Sequence, residues 1–232
     1  MTSDKGIGDH CAAVIAIDGP AGSGKTTTAR EVARRLGFAY FDTGAMYRAI
    51  ALKAVRSGCD LNDSSEIGEI ALSALIDITF KEDTQRTFLD GEDVTDFLRS
   101  KKVTQAVSPV CEVEQVRDLM VAQQRQLGRD GRVVVEGRDI GTVVFPDADV
   151  KIYLTADLQE RGRRRQSDMK QSGEDAGIQD VMTSIDHRDQ RDKCRDNSPL
   201  MIAEDALLID TTDLDFEEQV EIIINELKSK CV

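Results

Sequence analysis

The stretch Gly19-Pro-Ala-Gly-Ser-Gly-Lys25-Thr26 constrains this chain more than any other part of it. It fits the pattern G-x-x-x-x-G-K-[ST]. An apolar run, Val14–Asp18, leads in, and Ala29, Val32, Ala33 and Leu36 then share one helical face before Gly37 stops the helix. Strand, glycine-rich turn and helix in that order start a parallel α/β arrangement. The glycines let backbone N–H groups approach phosphate oxygens with no Cβ in the way. The helix N-terminus adds partial positive charge. Lys25 can reach the β- and γ-phosphates of a nucleoside triphosphate, and Thr26 offers a hydroxyl to Mg²⁺. Gly19, Pro20, Ala21, Gly22, Ser23, Gly24, Lys25, Thr26 and Thr27 are therefore the expected triphosphate cradle.

The rest of the chain continues the pattern. Ala12–Asp18, Ala39–Asp42, Val133–Glu136, Val150–Ala156 and Ala206–Asp210 read as strands buried on both faces, because they are continuously apolar rather than alternating. Helical patterns separate them, including a stripe of Phe216, Val220, Ile223 and Leu227. The expected fold is α/β, a doubly wound five-stranded parallel sheet carrying a P-loop. With no Trp and only 4% aromatic residues, its core must be aliphatic. One segment breaks the alternation. Asp63 with Glu66 suggests a capping box. Asp77–Lys81 and Arg86–Leu89 then precede an Asp90-Gly91 turn and Glu92–Thr95, a hairpin signal. The expected organisation is a core of residues 12–62, 103–156 and 199–232, a small antiparallel insert at 63–102, and a helical lid and arm at 157–198. Ser172–Gly177 is a polar break within that arm.

Composition narrows the partners. A length of 232 residues suits one decorated domain, and a net charge of −13 argues against nucleic acid and anionic membranes. No apolar run is long enough to span a bilayer, and Met1 to His10 lacks the apolar segment of a signal peptide. The five cysteines, at 11, 59, 111, 194 and 231, form no Cys-x-x-Cys pair and read as reduced thiols. The expectation is a cytoplasmic enzyme.

A phosphate loop implies a triphosphate, not a reaction. Guanine-specific GTPases carry Asn-Lys-x-Asp, and no Asn here is followed by Lys. A motor or regulatory ATPase and a kinase with a small acceptor both remain. Two further strand ends carry chemistry. Thr43, a candidate helix N-cap, and Arg48 follow Ala39–Asp42, and Gly137-Arg138-Asp139-Ile140-Gly141-Thr142 follows Val133–Glu136. In open α/β sheets ligands gather at such ends. Further on, Arg188, Asp192 and Arg195 fall within about 60° of one another on a helix, with Arg191 beside them. That face is either solvated or suited to phosphates and sugar hydroxyls. Arg161, Arg163, Arg164 and Arg165 form another cluster, either a solvated helix or a segment that closes over the ATP phosphates.

The loop Gly19–Thr27, the block Asp42-Thr-Gly-Ala-Met-Tyr-Arg48, the block Glu136-Gly-Arg-Asp-Ile-Gly-Thr-Val-Val-Phe-Pro146 and the stretch Arg188–Arg195 resemble, in order, the bacterial cytidylate kinase family. The resemblance runs from about Val14 to Leu227. It implies transfer of the γ-phosphoryl group of ATP to CMP or dCMP, with Mg²⁺ carried by ATP, in a protein expected to be a monomer. It implies that Ser108, Arg117 and Asp139 read the cytosine, that Arg48, Arg138 and Arg195 hold the acceptor phosphate, and that Arg188 and Asp192 hold the ribose, with Thr43 also in contact. Lys25, Arg138 and Arg195 would serve the transfer itself, and Arg161 and Arg164 would join the ATP site. A carboxylate at Asp139 suits the cytosine N4 amine and disfavours the O4 acceptor of uracil. Thr43 stands where the family often has Ser, which keeps the hydroxyl, and Glu136 where it often has Asp, a longer reach beside the metal site. A UMP/CMP kinase of broader range and a regulatory P-loop ATPase are the alternatives.

Overall fold

Five strands form one all-parallel sheet, and each is laid down by an apolar run anticipated above. They are β1 (Val14–Asp18), β2 (Ala39–Asp42), β6 (Val133–Glu136), β7 (Val150–Thr155) and β8 (Leu207–Asp210) in the order β2-β6-β1-β7-β8. The computed structural model describes residues 12–81, 84–171, 173 and 175–230. Met1 to His10, Cys11, Cys231 and two residues of the Ser172–Gly177 break lie outside these.

Both faces of the sheet are covered, as continuous apolar strands require. On one face Ile15, Ile17, Val134, Ile152 and Leu154 pack against α1 (Lys25–Leu36) and α8 (Phe216–Lys230). On the other, Ala16, Phe41, Val133 and Val135 pack against α2 (Thr43–Ser57), α4 (Lys101–Glu112) and α5 (Glu114–Leu127). Gly37 ends α1 with φ 64°, its N–H and that of Phe38 turning back onto the last turn of the helix. In α8, Val220, Ile223 and Leu227 are buried, but Phe216 is 45% exposed because it stands at the first position of the helix, beyond the packed stripe.

The insert opens with α3 (Ser64–Leu72) and continues as β3 (Ile76–Lys81), β4 (Thr84–Leu89) and β5 (Glu92–Asp93), an antiparallel sheet. The Asp90-Gly91 turn has positive φ at both residues, 51° and 84°, the conformation that matches strand twist in a tight hairpin. Three local expectations shift. The Asp63 carboxylate accepts from the Ser65 and Glu66 N–H groups, yet Glu66 reaches Asp60 N rather than closing the box on Asp63, whose N–H already bonds to Asp60 O. The last strand stops at Asp93, since the Thr95 hydroxyl accepts from Thr87 N and opens a 3-10 turn at Thr95–Phe97. The N-cap of α2 is Asp42, not Thr43: Asp42 accepts from Ala45 N, while the Thr43 hydroxyl donates to Glu136 O at 2.8 Å.

The register positions the site. Ile17 pairs with Glu136, Asp42 pairs with Glu136, and Asp18 pairs with Tyr153. The carboxyl ends of β2, β6 and β1 therefore finish within one residue of one another, β7 runs two residues further, and the segments after them share one edge. Across that edge lie α6 (Leu158–Gln171) and α7 (Ile178–Cys194), packed on each other.

Candidate active site

The glycine-rich phosphate loop runs from Gly19 to Gly24. Gly19 has φ 148°, and a Cβ there would lie 2.0 Å from Leu154 O, so no other residue fits. Lys25 is 6% exposed, and its Nζ donates to Pro20 O at 2.7 Å and Ser23 Oγ at 3.3 Å. Burial, with Arg138 adding repulsion, pushes its ammonium well below the ordinary lysine value, against the pull of Glu136 and Asp18. The Thr26 hydroxyl donates to Glu136 Oε2 at 3.0 Å, and the Tyr40 hydroxyl donates to Oε1 of the same carboxylate. Burial and neighbouring Asp42 push the Glu136 carboxyl up. Among the described residues no three His, Cys, Asp or Glu side chains could hold a metal by themselves. A hydroxyl at a helix N-terminus with a carboxylate behind it does suit Mg²⁺ sharing its ligands with phosphates.

A second group of buried charges is built on the turn after β6. The buried Asp18 carboxylate at the end of β1 accepts from Ile140 N at 2.8 Å and Gly141 N at 2.7 Å. Burial pushes its carboxyl up to about 6 against those two bonds. Asp18 thus ties the start of the phosphate loop to the turn that carries Arg138 and Asp139, which continues as one wide helical turn over Ile140–Val144. Asp139, 5% exposed, bonds to Arg117 NH2 from α5, and Arg117 lies 5.4 Å from the Tyr47 ring centre. Arg195 NH2 stands 3.7 Å from the other Asp139 oxygen. Arg117 Nε, Arg195 NH2 and the Tyr47 hydroxyl are buried polar atoms with no hydrogen-bond partner in the protein, and all three border Asp139. Such orphaned atoms mark a place prepared for polar groups of a ligand. The thiol of Cys111 on α4 feels the charges of Asp192, Arg195, Arg117 and Arg188. Ser108, half-buried and three residues earlier on the same helix, shares that face.

Helix α7 closes the site. Arg138 Nε donates to Asp192 Oδ2 at 2.9 Å. Burial would raise the Asp192 carboxyl, but Arg138, Arg188 and Arg195 together hold it below the usual value. Arg188 is pushed down to about 10 by burial and by the charges of Arg138 and Arg48. A guanidinium held down by other cations is one that an anion would relieve. The charges of Arg138 and Arg188 also bear on Lys25.

The anticipated residues lie along this edge except Arg163, Arg165 and Arg191, with several changes of detail. Arg195 is not part of the helix, which ends at Cys194; it caps it in extended conformation, with Nε donating to Ser198 O at 2.6 Å. Its guanidinium still turns back, 3.8 Å from Asp192 Oδ1. Arg191 leaves the group and pairs with Glu112 on α4. The Arg161–Arg165 cluster divides. Arg163 and Arg165 are exposed, whereas Arg161 and Arg164 face the phosphate loop. Their guanidinium groups bond to its carbonyls, Arg161 to Ala21 O at 3.0 Å and Arg164 to Ser23 O at 3.4 Å, and to Asp189, Glu160 and Thr211. Three contributors escaped the sequence reading: Asp18, Asp189 and Gln85. Gln85 on β4 accepts from Asp42 N and donates to Asp42 O, pinning the insert to the end of β2. A signal existed for Asp18, since a carboxylate ending an apolar strand next to a phosphate loop needs donors.

A family model described as Cytidylate kinase matches residues 15–229. A cytidylate kinase of Caldanaerobacter subterraneus subsp. tengcongensis is 48% identical over 214 residues, covering 92% of this chain and 94% of that one. Cytidylate kinases of Desulfitobacterium hafniense and Salinibacter ruber are 47% and 44% identical, covering 93% and 94% of this chain and 93% and 97% of theirs.

Proposed function

The chain belongs to the cytidylate kinase family, and on that premise we propose how its residues divide the work of moving the γ-phosphoryl group of ATP to CMP or dCMP. The observation that carries the reading is that the turn bearing Arg138 and Asp139 is bonded both to Asp18, at the start of the phosphate loop, and to Asp192 on α7. The loop Gly19–Thr27 holds the donor, with Lys25 turning from Pro20 O and Ser23 Oγ to the phosphates. Thr26, backed by Glu136, would hold Mg²⁺, which supplies charge neutralisation to the triphosphate. Arg48, Arg138 and Arg195 hold the acceptor phosphate, and Arg188 and Asp192 hold the ribose, near Thr43. Ser108, Arg117 and Asp139 read the base. The acceptor oxygen is already anionic, so the residues position and neutralise rather than remove a proton.

Residues 63–102 act as the monophosphate-binding insert and 157–198 as a lid that closes when both nucleotides are present, excluding water that would hydrolyse ATP. Arg161 and Arg164 bring that lid to the ATP phosphates. Both nucleotide sites come from one chain, so a monomer would suffice for the reaction, and the substrates support a cytoplasmic location. Among the described residues no helix is long and apolar enough to cross a membrane.

A coupled assay of ADP formation over a panel of nucleoside monophosphates tests the reading. CMP and dCMP should stimulate it. Equal stimulation by UMP would mean a broader kinase, and steady hydrolysis with no acceptor would mean an ATPase.

A further inference from the structure

Asp189 has no part in the roles above, yet it is 3% exposed and bonded to the donor loop. Its Oδ1 accepts from Ala21 N at 2.9 Å, and its Oδ2 pairs with Arg161 NH1. The same Arg161 nitrogen donates to Ala21 O at 3.0 Å, and Arg161 Nε donates to Ala156 O at 3.0 Å. One residue of the phosphate loop is thus held at both its N–H and its C=O by a buried ion pair from the two arm helices. The contact is close: a Cβ on Gly22 would stand 2.9 Å from Arg161 O. On α7, neighbouring residues point about 100° apart. Arg188 therefore faces the acceptor cations Arg138 and Arg48 while Asp189 faces the loop.

We propose that Asp189 is a positioning residue that couples the two nucleotide sites, its clasp with Arg161 on Ala21 making the placement of the α7 acceptor groups depend on the state of the donor loop. The proposal rests on the reading that Arg188, Asp192 and Arg195 hold CMP. Donor phosphates bring negative charge beside a carboxylate already bonded to the loop. The loop cannot adjust without moving α7, because Ala21 is tied to it. By linkage, whatever factor ATP adds to the affinity for CMP, CMP adds to the affinity for ATP.

Calorimetric titration of CMP into the full chain, with and without a non-hydrolysable ATP analogue and Mg²⁺, tests this. In the wild type the analogue should tighten CMP binding by about 5–150-fold, the usual span of coupling between sites. Asp189→Asn keeps an acceptor for Ala21 N but loses the charge that pairs with Arg161, and Asp189→Ala loses both. Each should bind CMP alone much as the wild type does, while the enhancement falls by at least about fivefold. Thermal melts establish that the variants fold, and the isosteric Asp189→Asn decides the matter if Asp189→Ala does not. Undiminished enhancement in folded Asp189→Asn overturns the proposal, as does a wild type that shows none. Arg188→Ala is a separate control: if it binds CMP as tightly as the wild type, the acceptor reading fails while the Asp189 measurement still reports on coupling.

Discussion

Replacing Asp139 by Asn removes one negative charge and almost no volume from a place where two buried cations meet it. Arg117 and Arg195 have side chains 3% and 5% exposed, so water cannot compensate either of them. Breaking a buried ion pair from one side costs about 3–5 kcal/mol. The stacking of Arg117 on Tyr47, about 0.5–2 kcal/mol, survives the change and keeps that arginine placed. A loss of about 2–4 kcal/mol in unfolding free energy is expected, or roughly 5–15 °C in Tm for a domain of this size. The effect on recognition is separable. Losing the charged acceptor for the cytosine N4 amine should cost CMP about 1–3 kcal/mol, a factor of about 5–150 in kcat/KM. UMP should not suffer that loss, because an amide can donate to O4 where a carboxylate repels it. The uncompensated positive charge left in the pocket acts equally on both monophosphates and cancels from their ratio. The assay is kcat/KM for CMP and for UMP with Mg-ATP in wild type and Asp139→Asn, with Tm measured alongside. A lowered Tm with an unchanged CMP-to-UMP ratio would refute base reading and leave Asp139 as the counter-ion of Arg117.

Four further outcomes follow from the same geometry. Lys25→Ala should fold normally and lower kcat by about 10²–10³, as removal of a preorganised charge stabiliser does; near-normal turnover would refute its role. Arg195→Ala should lower kcat more than CMP affinity, and Asp192→Ala should weaken CMP more than dCMP if the carboxylate accepts from the 2′-hydroxyl; equal losses for the two nucleotides would leave Asp192 only its contact with Arg138. The Asp18 carboxyl is raised in the fold from 3.8 to about 6, so its stabilising contribution is complete below 3.8 and is lost as pH rises through about 6. The loss is on the order of 3 kcal/mol. Urea unfolding across that range should show a smaller decline in Asp18→Asn than in the wild type, and parallel curves would show that Asp18 does not titrate there.

What the sequence revealed was local. The phosphate loop, the continuous apolar strands and the Asp90-Gly91 turn each rest on neighbours a few residues away, and each stands where expected. The shifts occur where one group had several partners to choose from. Thr43 could cap its helix or bond to β6, and only the parallel pairing of β2 with β6 brings Glu136 O within 2.8 Å of its hydroxyl. The unanticipated contributors have remote partners: Asp18 bonds to a residue 122 positions away, Asp189 to one 168 away, and Gln85 to one 43 away. Composition and periodicity carry no information about such pairs. Asp189 was hidden further by its setting, since a carboxylate in an Arg-rich helix reads as a solvated ion pair until its helix is seen to lie on the loop.

The strand order also governs how the chain comes into being. Among the described residues of the five-stranded sheet β2 pairs with β6 alone, and β1 is flanked by β6 and β7, so the two strands made first are not neighbours. A strand that begins at Val133 must slide between them. A nascent chain that has left the ribosome as far as α2 carries the whole phosphate-loop sequence and no sheet to hold it. At about 5–20 residues per second, its apolar strands wait on the order of ten seconds for their partner. Pairing across so long a stretch makes folding slow. Throughout that interval two sticky segments, Val14–Asp18 and Ala39–Asp42, remain open to chaperones and to other chains. The motif completed earliest in synthesis is thus among the last to acquire its shape.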